Sequence, residues 1–139
     1  MPPPATVTPR ILSVDDSQTI RLVLARIFRP FVCEFFAAAN GEEGLALAAE
    51  KQPDLILLDY NMPVMDGMAM LRRLRENPAL KRIAVIMLTA EAGCENMAAV
   101  ARLGVRDYLT KPFREEQLLA KAGRIVPLVP RPDEPAVCP

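Results

Sequence analysis

Histidine is absent from the 139-residue sequence. Without it no Ser-His-Asp or Cys-His nucleophile can be assembled, no imidazole can bind zinc, and no phosphohistidine can form on this chain. Cysteine is scarce. Cys33, Cys94 and Cys138 are odd in number, widely spaced and in no C-x-x-C pattern, which speaks against a disulfide framework and a thiolate metal site. They read as two small buried hydrophobes and one tail thiol, so any bound metal must sit on oxygen. An excess of either charge is also lacking. Seventeen basic and seventeen acidic residues give a formal charge of zero, which argues against nucleic acid or an acidic membrane surface as partner. No apolar run approaches the roughly 18 residues of a membrane helix; residues 83–88 are among the longest. The opening Met-Pro-Pro-Pro has neither the charged nor the apolar region of a secretory signal. No G-x-x-x-x-G-K or G-x-G-x-x-G loop follows any apolar run, against a nucleotide- or flavin-binding module. These absences give the expectation of a cytoplasmic protein that binds neither membrane nor nucleic acid.

Apolar residues are plentiful, at 51% against 24% charged, enough to bury a core. Nine of the fourteen prolines lie in residues 1–9 or 127–139. Both ends therefore read as extended, poorly ordered Pro-rich tails flanking one domain over residues 10–126.

Within that domain, short apolar runs alternate with helical periodicity. Strands are expected at residues 11–14, 31–36, 55–58, 83–88 and 105–109. Helices are expected from Ile20 to Phe28, from Gly41 through Ala49, and over 66–75, 94–103 and 115–126. Near-continuous apolar strands imply a sheet covered on both faces. Five β/α units predict an α/β domain, a doubly wound five-stranded parallel sheet flanked by five helices.

Ligands of such sheets bind beyond the carboxyl ends of the strands. Asp15 and Asp16 follow the first apolar run, Asp59 the third, Thr89 the fourth and Lys111 the fifth. Three carboxylates, a hydroxyl and an ammonium thus meet at one sheet edge. Taken singly, each has a plainer reading as a helix cap, a turn residue or a solvated side chain; their joint arrival is hard to assign to capping. Two like charges about 4 Å apart repel by on the order of 4 kcal/mol at an effective dielectric near 20, so a proton or a cation must offset them. With no histidine and no cysteine cluster, Mg²⁺ is the fitting cation. Beside a Lys and a Thr donor, such a site suits a phosphoryl group, and a carboxylate can itself be the acceptor.

The ordered set resembles the receiver domain of bacterial two-component response regulators, particularly the single-domain CheY-like kind with its flavodoxin-like fold. The matching residues are Val14-Asp15-Asp16-Ser17, the run from Leu57 through Asp59, Asn61, Pro63 and Asp66 to Gly67, Met87-Leu88-Thr89-Ala90-Glu91, and Tyr108-Leu109-Thr110-Lys111-Pro112-Phe113. The resemblance implies Asp59 as phosphoacceptor and Asp16 as a direct Mg²⁺ ligand. It implies Asp15 as an acidic partner through water, and the Asn61 carbonyl as the remaining ligand. Lys111 would contact the phosphoryl group, and the Lys111–Pro112 bond would be cis. Thr89 and Tyr108 would form a switch that reshapes the face of the fourth helix, fifth strand and fifth helix, where a target protein docks. Asn61 and Glu91 occupy positions associated with the rate of dephosphorylation; the pair is similar to that of fast-turnover chemotaxis regulators. The donor would be a histidine kinase or histidine phosphotransfer protein, and the chain a signalling switch that catalyses only its own phosphorylation and dephosphorylation. Two other readings stay open: a Mg²⁺-dependent phosphohydrolase with Asp59 as nucleophile, and a receiver domain from a longer multidomain regulator. The basic residues Arg72, Arg73, Arg75, Lys81 and Arg82 read mainly as a solvated face.

Overall fold

The computed structural model describes residues 8–62, 65–89 and 97–132. Its strands are β1 (Arg10–Val14), β2 (Glu34–Ala38), β3 (Leu55–Asp59), β4 (Ala84–Thr89) and β5 (Asp107–Thr110); they alternate with α1 (Gln18–Phe28), α2 (Gly41–Lys51), α3 (Gly67–Glu76), α4 (Met97–Arg102) and α5 (Glu115–Gly123). All strand pairs are parallel, in the order β2-β1-β3-β4-β5. This is the doubly wound sheet expected from the sequence. No helix among the described residues is long and apolar enough to cross a membrane.

The three central strands carry the strongest apolar runs because both their faces are covered. Every residue of β3 and β4 is buried. Successive side chains point to opposite faces, so the sheet separates two cores. Leu12, Val14, Ile56, Leu58, Val85 and Met87 face one, where Met70, Leu71 and Leu74 of α3 pack. Ile11, Leu55, Leu57, Ile86 and Leu88 face the other, with Leu24 and Phe28 of α1 and Leu118 of α5. Helix starts are set by polar caps. The side chains of Ser17, Asn40 and Asp66 accept from the backbone N–H groups of Ile20, Glu43 and Ala69, satisfying donors that have no partner inside the helix.

The edges depart from the sequence expectation. The second strand begins at Glu34 rather than Phe31. Phe31 instead pairs with Pro130, and the edge position of β2 leaves Glu34 exposed against Arg10 at 3.4 Å, a charged residue that a buried strand would not accept. The fifth strand begins at Asp107, two residues later than expected. The last helix stops at Gly123, not Val126, although Ile125 and Val126 still donate to the Ala122 carbonyl and Val126 stays buried. Of the fourth helix, residues 94–96 lie outside the described residues, as do Cys94 and Cys138; Cys33 is buried as expected.

Chain beyond Val126 is not simply a tail at its start. Val32 donates to the Val129 carbonyl at 2.7 Å and Arg131 to the Pro30 carbonyl at 2.8 Å. The Arg131 guanidinium also reaches the Arg29 carbonyl at 2.8 Å. A second arginine ties loops at the same end of the sheet. Arg75, in the last turn of α3, donates to the carbonyls of Leu103 (2.6 Å), Ile83 (2.9 Å), Lys81 (3.0 Å) and Gly104 (3.2 Å). Gly104 turns the chain there with φ of +79°, a conformation that a Cβ would strain.

Ser13 is fully buried on β1, and its hydroxyl has no partner among the described residues. An unpaired buried hydroxyl costs more than it returns. Ser13→Ala is therefore expected to raise stability by about 1 kcal/mol, read as a higher urea midpoint at unchanged slope; a loss of stability would show that the hydroxyl is satisfied in solution.

Candidate phosphoryl and metal site

The β1–α1, β3–α3 and β5–α5 connections converge at the carboxyl ends of the strands, beside the point between β1 and β3 where the winding reverses. Asp15 is fully buried at the end of β1 and Asp59 nearly so as the last residue of β3. Lys111, just past β5, places its Nζ 3.1 Å from Asp15 Oδ2 and 3.1 Å from Asp59 Oδ1. Asp16 is exposed, yet one oxygen from each of Asp15, Asp16 and Asp59 lies within 4.8 Å of the others. The sequence thus placed correctly which acids and which ammonium meet.

Capping does not account for the pair of aspartates. Ser17 caps α1, leaving Asp16 uncommitted to that role; Asp15 Oδ1 accepts from the Ser17 backbone N–H at 2.9 Å. Asp59 does double duty: its Oδ1 also accepts from the Asn61 N–H at 3.3 Å, the start of the turn leading to α3. Thr89 ends β4, is buried, and its carbonyl accepts from the Lys111 N–H at 2.7 Å. That bond ties the end of β4 to the residue that bridges the acids. The Lys111–Pro112 peptide is cis. Tyr108, on β5, is about half exposed. Glu91 lies outside the described residues, and so do Pro63 and Ala90.

Two contributors had no assigned role from the sequence. The Arg21 guanidinium donates to the Asp15 carbonyl at 2.7 Å and fixes the loop between β1 and α1; spacing along the chain gives no sign of it. Gly67 opens α3 against the backbone of the acceptor strand. A Cβ there would collide with the Asp59 carbonyl oxygen, so only glycine permits this approach.

Burial pushes the Asp59 carboxyl up to about 6; the Lys111 hydrogen bond opposes the rise, the neighbouring Asp15 charge adds to it, and the Lys111 charge and Asn61 N–H oppose it again. Burial works against the Lys111 ammonium, but its hydrogen bonds to Asp59 and Asp15 and their charges raise its pKa overall. One cation therefore serves two buried acids, and negative charge is left over with Asp16 alongside. Hard oxygen donors in that number, in a chain without histidine and with no thiolate beside them among the described residues, fit a divalent cation such as Mg²⁺.

The response regulator receiver domain model matches residues 11–123, and the chain belongs to that family. It is 34% identical over 118 residues to the protein PilG of Pseudomonas aeruginosa, covering 85% of this chain and 87% of PilG. It is 36% identical over 112 residues to a probable chemotaxis protein CheY of Rhizobium etli, covering 80% and 87%. The solved structure of the chemotaxis protein CheY4 of Vibrio cholerae superposes with a TM-score of 0.81 at 33% identity, covering 86% of this chain and all of CheY4.

The raised Asp59 pKa has a testable sign. The folded state binds this proton more tightly than the unfolded chain, so ionised Asp59 costs stability above about pH 6, and the cost disappears below the ordinary carboxylate range. In Mg²⁺-free buffer, Asp59→Asn should stabilise the fold by about 1 to 3 kcal/mol near pH 7.5 and by well under about 1 kcal/mol near pH 4. Urea denaturation at the two pH values checks this; an equal gain at both would remove ionisation as its source.

Proposed function

We propose that this chain is a Mg²⁺-dependent phosphoacceptor switch, with Asp59 taking a phosphoryl group from a phosphohistidine on a kinase or phosphotransfer protein. The observation that supports it most is the Lys111 ammonium held between buried Asp15 and Asp59, with Asp16 beside them. Asp16, Asp59, the Asn61 carbonyl and, through water, Asp15 are the groups suited to hold the metal. When bound, the ion would offset the charge gathering on the phosphoryl oxygens.

In the transfer, a carboxylate oxygen of Asp59 forms a bond to phosphorus as the phosphorus–nitrogen bond of the donor breaks, and the electron pair remains on the donor imidazole. Asp59 must be ionised to act. Lys111 lies within reach of Asp59 Oδ1 and is suited to bind a phosphoryl oxygen once the acyl phosphate exists. Water entering opposite the Asp59 oxygen would later return the carboxylate and release phosphate; Asn61 and Glu91 are the residues assigned to tune that step, in favour of a short-lived phosphorylated state.

Phosphorylation adds nearly two negative charges and strong acceptor oxygens. The Thr89 hydroxyl, on the last residue of β4, would be drawn to them, and half-exposed Tyr108 would move into the space released. Thr89 pairs with Thr110 and Met87 with Tyr108 across β4 and β5, so a change at Thr89 would pass to the strand that carries Tyr108. The surface of α4, β5 and α5 is then the one whose shape depends on phosphorylation, and the partner that reads it is a protein. The domain is assigned to residues 10–126, with 1–9 and 127–139 as flanking segments and the cytoplasm as its place of action.

Incubation with acetyl phosphate and Mg²⁺ should add one phosphoryl group by intact mass, and Asp59→Ala should abolish it; a persistent label in that variant would overturn the acceptor assignment. Mg²⁺ affinity, followed by calorimetry, should weaken as pH falls through about 6, because the proton on Asp59 competes with the cation. A pH-independent affinity between about 5 and 8 would place the metal elsewhere. Lys111→Ala should still accept the label while the NMR environment of Tyr108 no longer differs between the two forms; an unaltered response would remove Lys111 from the switch.

A further inference from the structure

At the opposite end of the sheet, where β4 and β5 begin, a cleft of about 390 Å³ is lined by Arg75, Lys81, Arg82, Arg102 and Arg106. Ile83 and Leu103 contribute to its apolar wall, and among the described residues no carboxylate lines it. In a chain whose formal charge is zero, five cations around one hollow are a marked segregation of charge. Three separate stretches supply them: the end of α3, the connection into β4, and the end of α4 with the turn into β5.

The five are not alike. Arg75 spends its guanidinium on four backbone carbonyls. Those carbonyls would otherwise turn partial negative charge toward any anion in the cleft, so Arg75 prepares the wall. The side chains of Lys81, Arg82, Arg102 and Arg106 have no hydrogen-bond or ion-pair partner among the described residues. Neutralisation of helix dipoles accounts for Arg75 and Arg102, which lie in the last turns of α3 and α4. It does not account for Lys81, Arg82 and Arg106, which lie in connections outside any helix. Four like charges share one hollow with no ion-pair partner among the described residues.

We propose that this cleft binds a small polyanion bearing phosphate groups. Guanidinium forks match phosphate oxygens two at a time, and Arg82, Arg102 and Arg106 supply three of them, with Lys81 as a point charge. The volume lies within the range of small-molecule sites, and the hollow is formed by the fold rather than by one flexible loop. A nucleic acid is disfavoured because these five cations ring one hollow instead of running along a face. Occupancy would clamp the starts of β4 and β5, the strands whose far ends lead to Thr89 and Lys111.

Calorimetric titration of the full chain with sodium tripolyphosphate, in Mg²⁺-free buffer at about 150 mM salt, tests the site away from the phosphorylation chemistry. Saturable one-to-one binding with a dissociation constant below about 1 mM is expected. Arg102→Ala/Arg106→Ala should weaken it by about tenfold or more. Asp59→Asn, which removes the proposed acceptor, and Arg72→Ala/Arg73→Ala, on the neighbouring face of α3, should leave it unchanged. The substituted arginines are exposed, and circular dichroism confirms that each variant is folded. Lack of saturable binding, equal binding by the Arg102/Arg106 variant, or tight binding of a poly-glutamate peptide with none of tripolyphosphate would each overturn the proposal. None of those results would bear on Asp59 phosphorylation.

Discussion

A single ammonium held between two buried carboxylates organises the upper rim of this protein. Lys111 reaches Asp15 and Asp59 at equal distance, 3.1 Å, and each acid comes from the end of a different strand. Burying two acids is tolerable only with such a partner, yet one positive charge cannot satisfy three aspartates. The site is thereby left electrostatically incomplete, which is the condition a cation-dependent phosphoryl acceptor needs. The surrounding structure serves this arrangement. Arg21 fixes the loop carrying Asp15 and Asp16, Gly67 lets α3 start against the Asp59 carbonyl, and the Thr89 carbonyl holds the Lys111 backbone.

The rim was legible in the sequence because its residues sit at the ends of strands that are buried on both faces. An unbroken run such as Leu55-Ile56-Leu57-Leu58 announces its own end, so Asp59 could be placed at the sheet edge without coordinates. Edge strands give no such signal. β2 exposes Glu34 and Ala37, and its apolar neighbours Phe31 and Val32 belong to a pairing with the chain around Pro130, a partner about a hundred residues away that local pattern cannot reveal. The same reason hides Arg75. A run of basic residues on α3 looks like a solvated face, and only the fold brings the carbonyls of Lys81, Ile83, Leu103 and Gly104 to one guanidinium.

The two ends of the sheet divide the work. The rim gathers the acids, where the proposed chemistry takes place; the foot is bound together by two arginines, Arg75 and Arg131, each spanning segments distant in sequence. Between them run β1, β3 and β4, packed on both sides. A close-packed interior of this kind is stiff and passes strain on instead of absorbing it, so the two ends of the sheet are held in fixed relation.

The placement of charge has one more consequence. Asp15, Asp16, Asp59, Glu42, Glu43 and Asp66 cluster where the strands end and helices begin, while Arg75, Lys81, Arg82, Arg102 and Arg106 cluster where β4 and β5 start. Because the formal charges cancel, no net charge draws this protein toward a charged neighbour as a whole, and what a partner meets is set by these local clusters.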